Sequence, residues 1–467
     1  TVNASLGAAS PTEFYIGRTQ FSQQVVDLTA SKDLGEVGGI DALNIAMGVQ
    51  WRRDNFTVSR GDLASYQIGP LALSGRASGS NGRPGFAPAD ENDISRRNIA
   101  AFVDLEADIT DAFLITTALR YENYSDFGGN LSGKIAARYK LNDALALRAS
   151  YNRGFRAPSL AQIGNRVNTS TVQNNMILQT QQISSNDPRL ATLGIADPQA
   201  EISDNFSAGF TGDLGAFTFT VDAFQIDIKD RIAITDGILT ARFPAVAALF
   251  PGVREIRFFT NQIDTRTRGV DVVATYKLDV GPGALKLTLA GTHASTKVES
   301  QQAAPAALLA GASAANQAAP LLGLTAIELI EVAQPRTKIL FSSNFETGGL
   351  TLGARATYFG AVEAFSTGLS PQDSNVECDA AGTRCVQKFG AKTIIDINAT
   401  YAFTEDFSLT LGANNLFDVY PDKWNNRRDG AVGEASSYSN GQTPYTRNAN
   451  QFGFNGSYYY LTANVKF

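Results

Sequence analysis

The chain has 467 residues, with 39 Lys and Arg against 45 Asp and Glu, a net charge of −6, and 43% hydrophobic residues. That apolar content supports a folded core and argues against disorder. The acidic balance argues against nucleic acid as the main partner, because neutralising phosphates needs a basic surface. One His, two Cys and two Met are too few for a His-based zinc or iron centre, so no cofactor is expected. No stretch reaches the ~18–20 unbroken apolar residues of a membrane helix. The most apolar window, Ala303 to Ile330, is broken by Pro305, Asn316, Gln317 and Pro320. A membrane helix is thereby excluded, but a membrane barrel is not. The chain opens on Thr1-Val2-Asn3-Ala4-Ser5-Leu6, which alternates like the middle of a strand and lacks the n- and h-regions of a signal peptide. A mature product, or a piece of something longer, is expected.

Taken in order, the recurring pattern has period two, which sends alternate side chains to opposite faces of a strand. Leu43, Ile45, Met47, Val49 and Trp51 alternate with Asn44, Ala46, Gly48, Gln50 and Arg52. Ile99 to Ile109 repeat the pattern against Asp104, Glu106 and Asp108. It returns at Ile135/Ala137/Tyr139/Leu141, Leu145/Leu147/Ala149/Tyr151, Leu285/Leu287/Leu289, Leu350/Leu352/Ala354, Ile395/Ile397/Ala399 and Phe407/Leu409/Leu411. About sixteen such segments are predicted, each near the ~10 residues of a tilted membrane strand. Alternation alone fits a sandwich equally well. The number and length of the strands decide between the two, together with aromatics at strand ends such as Tyr121, Tyr124, Phe127, Phe359, Phe417 and Tyr420. The fold predicted is all-β: a transmembrane antiparallel β-barrel with aromatic girdles.

Connections alternate between short and long. Asn142-Asp143, Leu214-Gly215-Ala216, Gly348-Gly349 and Thr404-Glu405-Asp406 read as tight turns. Long loops are expected from Ala157 to Ser203, Ser300 to Pro335, Ser366 to Phe389 and Pro421 to Phe454, the second with room for a short helix. Long loops are where recognition is usually placed.

Several local patterns have a plain reading beside a chemical one. Gly128 to Lys134 nearly spells a phosphate loop, but Ile135 follows where Ser or Thr is needed and no helix follows, so a hairpin is expected. Asp104, Glu106 and Asp108 on one face suit acid–base work or, more plainly, the wall of a water-filled lumen. His293 stands without a nucleophile elbow and reads as a surface or lumen histidine. Cys378 and Cys385 lie in one small polar loop; in an oxidising compartment they most simply form a disulfide. At the C-terminus, Tyr459, Leu461, Ala463, Val465 and Phe467 alternate with polar residues and end on an aromatic, like the assembly signal of outer-membrane barrels.

Several strings resemble the barrel of TonB-dependent outer-membrane receptors. They are Tyr151-Asn152-Arg153-Gly154-Phe155-Arg156-Ala157-Pro158-Ser159-Leu160, Glu201 to Phe210 with Val221 to Ile232, Thr267-Arg268-Gly269-Val270-Asp271, Gln334-Pro335-Arg336, and Gly412-Ala413-Asn414-Asn415-Leu416-Phe417-Asp418-Val419-Tyr420. The resemblance implies a 22-stranded barrel filled by an N-terminal plug, with residues 1–467 as its C-terminal part and the plug and first strands absent from this sequence. It implies a bacterial outer-membrane receptor, not an enzyme, that takes up a scarce solute such as a siderophore, cobalamin or oligosaccharide. Expected partners are the TonB complex acting through the plug, membrane lipid and lipopolysaccharide, the barrel-assembly machinery and the small-molecule ligand. A self-contained sixteen-stranded porin and an outer-membrane enzyme or adhesin are the alternatives. Trp424, Arg427, Arg428, Tyr438 and Tyr445 form the expected ligand-contacting loop group.

Overall fold

A computed structural model describes residues 13–67, 85–173, 176–318, 320–365, 375–380, 385–424, 444–446 and 449–466. Its main body is one antiparallel sheet of fifteen strands, close to the count expected from the alternation. In chain order these are β1 (Arg18–Asp33), β2 (Ala42–Ser59), β3 (Asn92–Thr110), β4 (Phe113–Tyr124), β5 (Gly128–Lys140) and β6 (Leu145–Arg156). Two loop strands follow, β7 (Val167–Gln173) and β8 (Met176–Gln182), before the sheet resumes with β9 (Glu201–Leu214) and β10 (Phe217–Ile234). Loop strands β11 (Ile238–Leu239) and β12 (Glu255–Arg257) precede β13 (Phe259–Val280), β14 (Gly283–Gln301), β15 (Thr337–Thr347) and β16 (Leu350–Phe359). After β17 (Val362–Phe365), β18 (Val376–Cys378) and β19 (Cys385–Phe389), the sheet closes its run with β20 (Lys392–Ala402), β21 (Phe407–Asn414) and β22 (Tyr458–Val465). Each sheet strand pairs with its nearest predecessor and successor in the sheet, an up-and-down meander with β1 and β22 at the two ends of the order. Among the described residues, no helix is long and apolar enough to cross a membrane.

Register carries the alternation across strand after strand. Met47 faces Val103, Val103 faces Leu119, and Leu119 faces Gly133. Farther on, Leu289 faces Phe341, Phe341 faces Ala356, and Ala356 faces Ile395. This face is apolar yet open: Ile99 is 63% exposed, Leu131 62% and Leu461 70%. A one-residue slip would turn every one of these side chains to the other face. So large an exposed apolar surface is the lipid-facing band of a membrane barrel. The opposite face carries Arg120 on Glu122, Arg148 on Asp222 and Arg355 on Asp396 as ion pairs. Asp104, Glu106 and Asp108 share that polar face. Close backbone approach recurs in the sheet, and two of its instances show how. Gly212 stands opposite Phe219 and Gly412 opposite Tyr460, and a Cβ on either glycine would meet the ring at 2.2 Å.

The two ends of the sheet differ. At one end the strands are joined by turns of two to eight residues. The other end carries all the long connections, residues 60–91, 157–200, 235–258, 302–336, 360–391 and 415–457, with the β4–β5 hairpin between them. Gly128 has φ +85° and opens β5 in that hairpin, so the glycine run is a turn and Lys134 lies on a strand.

Candidate ligand-recognition surface

Among the described residues, the long connections pack on one another and on the strand ends to build three small cores. The largest joins residues 157–200, 235–258 and 302–336. Here β7, β8, β12 and β11 make a four-stranded sheet, with β12 parallel to β8. Ile183, Leu190, Leu193, Val246, Phe250, Phe258 and Leu308 are almost fully buried within this unit. Burial of each such side chain stabilises by about 1.5–3 kcal/mol and so offsets part of the entropy lost in ordering these loops. Sequence explains the short helices. Pro188 and Pro244 open Pro188–Thr192 and Pro244–Leu249, where a missing N–H costs nothing. Asp187 caps the first by accepting from the Arg189 backbone N–H at 3.0 Å. Burial pushes the Asp187 carboxyl up, but hydrogen bonds from Arg189 and the charges of Arg189 and Arg166 outweigh it and hold it below the usual range. The Arg189 guanidinium also lies 4.2 Å from the centre of the Phe250 ring. Asp236, whose carboxyl is pushed up by burial, ties the second connection to the third through its backbone N–H, which donates to the Leu321 carbonyl at 2.9 Å.

The expected helix in the Ala-rich loop proves to be three short ones, Ala306–Leu309, Ala314–Gln317 and Leu324–Glu331. The connection 235–258 escaped the sequence reading as a long loop, although Asp236-Gly237, Pro244 and Pro251-Gly252 mark its turns.

A second core joins the ends of three connections: Ala333, Val362, Ala364, Cys385, Phe389, Trp424 and Ala449. Cys378 stands directly opposite Cys385 on β18 and β19, with their Sγ atoms 2.01 Å apart. Trp424 is only 2% exposed and stacks on Phe389 with ring centres 6.0 Å apart. Placed in the expected ligand group, it is instead a packing residue that holds the loops together. An indole buries more apolar area than almost any other side chain, which is why it ends up inside. Gln451 clasps the same unit from below, its Nε2 donating to the carbonyls of Gly360 and Gly390 at 2.8 Å each.

Tyr445 lies half-buried between Tyr420 and Phe454, at ring separations of 6.1 and 5.4 Å. Tyr420 and Phe454 are each 37% exposed, so this aromatic stack presents ring surface outward. Arg427, Arg428 and Tyr438 lie outside the described residues, as does Phe467. Tyr459, Leu461, Ala463 and Val465 occupy the apolar face of β22. Below the stack, Asn415 and Asp418 adopt positive φ of 51° and 55°. Asn415 accepts from the Val419 N–H at 2.9 Å and donates to the Val419 carbonyl at 2.8 Å, while its own N–H donates to Asp396 at 2.8 Å. Short polar side chains of this kind stabilise such turns, which accounts for the Asn414-Asn415-Leu416-Phe417-Asp418 string.

A third small core sits at the foot of connections 60–91 and 157–200, with Phe56, Val58 and Leu160 buried against Phe86, Ile94 and Ile163. Ser159 and Gln162 form a reciprocal capping box at 3.0 Å each. Arg96 links this base to the β4–β5 hairpin. It donates to Asp126 at 2.6–3.0 Å and to the Pro158 carbonyl at 2.8 Å, and lies over Tyr124 and Phe127. His293 sits on the apolar face of β14, its Nδ1 2.8 Å from Thr337 Oγ1.

Comparison with known proteins agrees with this architecture. The family model described as TonB dependent receptor-like, beta-barrel matches residues 2–416. A curated protein from Acinetobacter baumannii, "Probable TonB-dependent siderophore receptor PirA", is 24% identical over 188 residues, 40% of this chain and 23% of that protein. The crystal structure of siderophore receptor PirA from the same species aligns at TM-score 0.57 and 17% identity, over 96% of this chain and 55% of that one. The pyoverdine receptor FpvA from Pseudomonas aeruginosa aligns at TM-score 0.59 and 14% identity, over 97% and 54%. The chain therefore spans about half the length of these solved structures.

Proposed function

Because the chain belongs to the TonB-dependent receptor β-barrel family, a family of bacterial outer-membrane transport receptors, we propose that it is the barrel portion of a receptor for active uptake of an iron–siderophore. In this reading the part of the relatives' length not matched here includes a plug and the first strands, and TonB drives transport through that plug. The observation that carries the proposal is the asymmetry of the sheet. Every long connection lies at one end, and their described residues include cores of their own. Such a platform above a charged inner wall suits capture of a solute before passage. The exposed stack of Tyr420, Tyr445 and Phe454, with Arg427, Arg428 and Tyr438 in the same connection, is the proposed contact group for a planar, anionic chelate. The names of the relatives support the siderophore class: they are siderophore and pyoverdine receptors.

The test is uptake of radiolabelled iron, offered as a panel of ferric siderophores, to cells that express the full-length receptor and lack their own. The reading predicts accumulation of one class only, lost on deletion of TonB. Uptake that survives TonB deletion would favour a passive pore. No uptake of any ferric chelate, with uptake of cobalamin or an oligosaccharide, would move the receptor to another ligand class.

A further inference from the structure

The lipid-facing side of the sheet is not uniform. Four alanines stand in one cross-strand row: Ala137 opposite Ala149, Ala149 opposite Ala208, and Ala208 opposite Ala223. The row continues through Val270 to His293. On its loop side the next row runs Ile135, Tyr151, Phe206, Gln225, Arg268 and Ser295. On its other side stand Tyr139, Leu147, Phe210 and Val221. Methyl groups flanked by aromatic and branched side chains leave a recess, and here it is a trough of about 980 Å³ with mostly apolar walls. Neighbouring strands lie about 4.8 Å apart, so the recess crosses several strands as a continuous strip. Because barrel strands tilt by about 35–45°, a row perpendicular to them is also oblique to the membrane, as a lipid chain entering from the headgroup level would need.

The two ends of the strip differ in chemistry. One is hydrocarbon, at Ile135 and Ala137. The other holds Gln225, Arg268 and His293. Around that end most cations are already neutralised. Arg153 lies 3.5 Å from Asp204, and Arg266 lies 2.6 Å from Asp227 and 3.3 Å from Glu299. Arg268 is exposed, donates to the Gln225 amide at 2.7 Å and shares the Asp227 carboxylate electrostatically with Arg266, which already pairs with it. Lys297 stands directly opposite Arg266 and is also exposed. A positive charge thus caps an apolar trough at the loop end of the membrane band, complementary to a chain with an anionic head.

We propose that this trough is a specific site for one phosphate-bearing lipid of the leaflet on the loop side. Its acyl chain lies along Ala149, Ala208 and Ala223 between the flanking rows, and its phosphate is held by Arg268 and Lys297. The test is native mass spectrometry of the full-length receptor in mild detergent, titrated in parallel with dioleoyl phosphatidic acid and dioleoylglycerol, which share their chains and differ in the phosphate. Wild-type protein should retain phosphatidic acid at least tenfold more strongly. The double substitution Arg268→Gln/Lys297→Gln should reduce its retention to that of dioleoylglycerol. Filling the trough with Ala149→Leu/Ala208→Leu should weaken both lipids, while Ala354→Leu, on the same face away from the trough, should change neither. Equal retention of the two lipids by the wild type would overturn the proposal. So would an unchanged preference in the charge variant, whose trough is untouched and whose folding can be checked by gel mobility without heating.

Discussion

Arg96 offers the sharpest test of how the loop end is fastened to the sheet. Its side chain is 4% exposed and Asp126 34%. In Arg96→Met the aliphatic stem is kept, but the fork onto Asp126, the bond to the Pro158 carbonyl and the stacking on Tyr124 and Phe127 are lost. A hydrogen bond to a charged group contributes about 1.5–3 kcal/mol, and an orphaned buried carbonyl costs about 1–3 kcal/mol. Stacking adds about 0.5–1 kcal/mol. Because a third of Asp126 is exposed, its carboxylate regains water, and the ion-pair share must be discounted. The net expectation is a loss of about 2–4 kcal/mol. Arg96→Lys, which keeps the charge but not the fork, should lose about half of that. The assay is reversible denaturant unfolding in detergent, followed by the fluorescence of Trp51 on β2 in a Trp424→Phe background, which leaves one tryptophan of two. A double-mutant cycle with Asp126→Asn isolates the pair. A loss below about 0.5 kcal/mol, with no coupling in the cycle, would refute the argument that Arg96 joins hairpin and loop base.

Three further expectations follow from packing and charge. Trp424→Ala empties the second loop core and should cost about 3–5 kcal/mol within that unit, read as protease cleavage between residues 360 and 457 while the sheet stays intact. Gly412→Val drives a branched side chain into the Tyr460 ring and should destabilise the β21–β22 pair by about 1–3 kcal/mol, seen as a lower temperature of gel-mobility loss; Gly412→Val combined with Tyr460→Ala should recover part of it. Asp187 titrates below its ordinary value of 3.8 in the folded loops, so its contribution is complete above the unfolded value and is lost as pH falls through the folded one. Hydrogen-exchange protection of residues 187–195 should be flat from neutrality to about pH 5 and fall below about pH 4; Asp187→Asn should abolish that fall.

The strands were legible because their two faces meet different media. In Leu43 to Trp51 and Ile99 to Ile109 every alternate residue is apolar, and although Ala46, Ala100 and Phe102 fall on the other face, no packing partner was needed to see which face is which. The loops were less legible because their order comes from contacts between distant segments. Nothing local to Ile183, Phe250 or Leu308 announces that they share one core; Phe250 and Leu308 lie in short apolar stretches whose sequence does not name the segment they pack against. Trp424 shows the same limit, since an aromatic in a long loop reads as a contact for ligand until the partner that buries it, Phe389, is found 6.0 Å away. The cysteines were easier, because six intervening residues bring two thiols together with little dependence on the rest of the chain.

The first loop core has a consequence for how the cell surface is recognised from outside. Its surface is assembled from residues 157–200, 235–258 and 302–336, stretches far apart in the chain but stitched together by Leu190, Phe250 and Leu308. An antibody raised against a peptide from any one of them would meet a shape that the peptide alone does not hold. Immunogens for this protein should therefore present the three segments together, on a scaffold that keeps their shared interior.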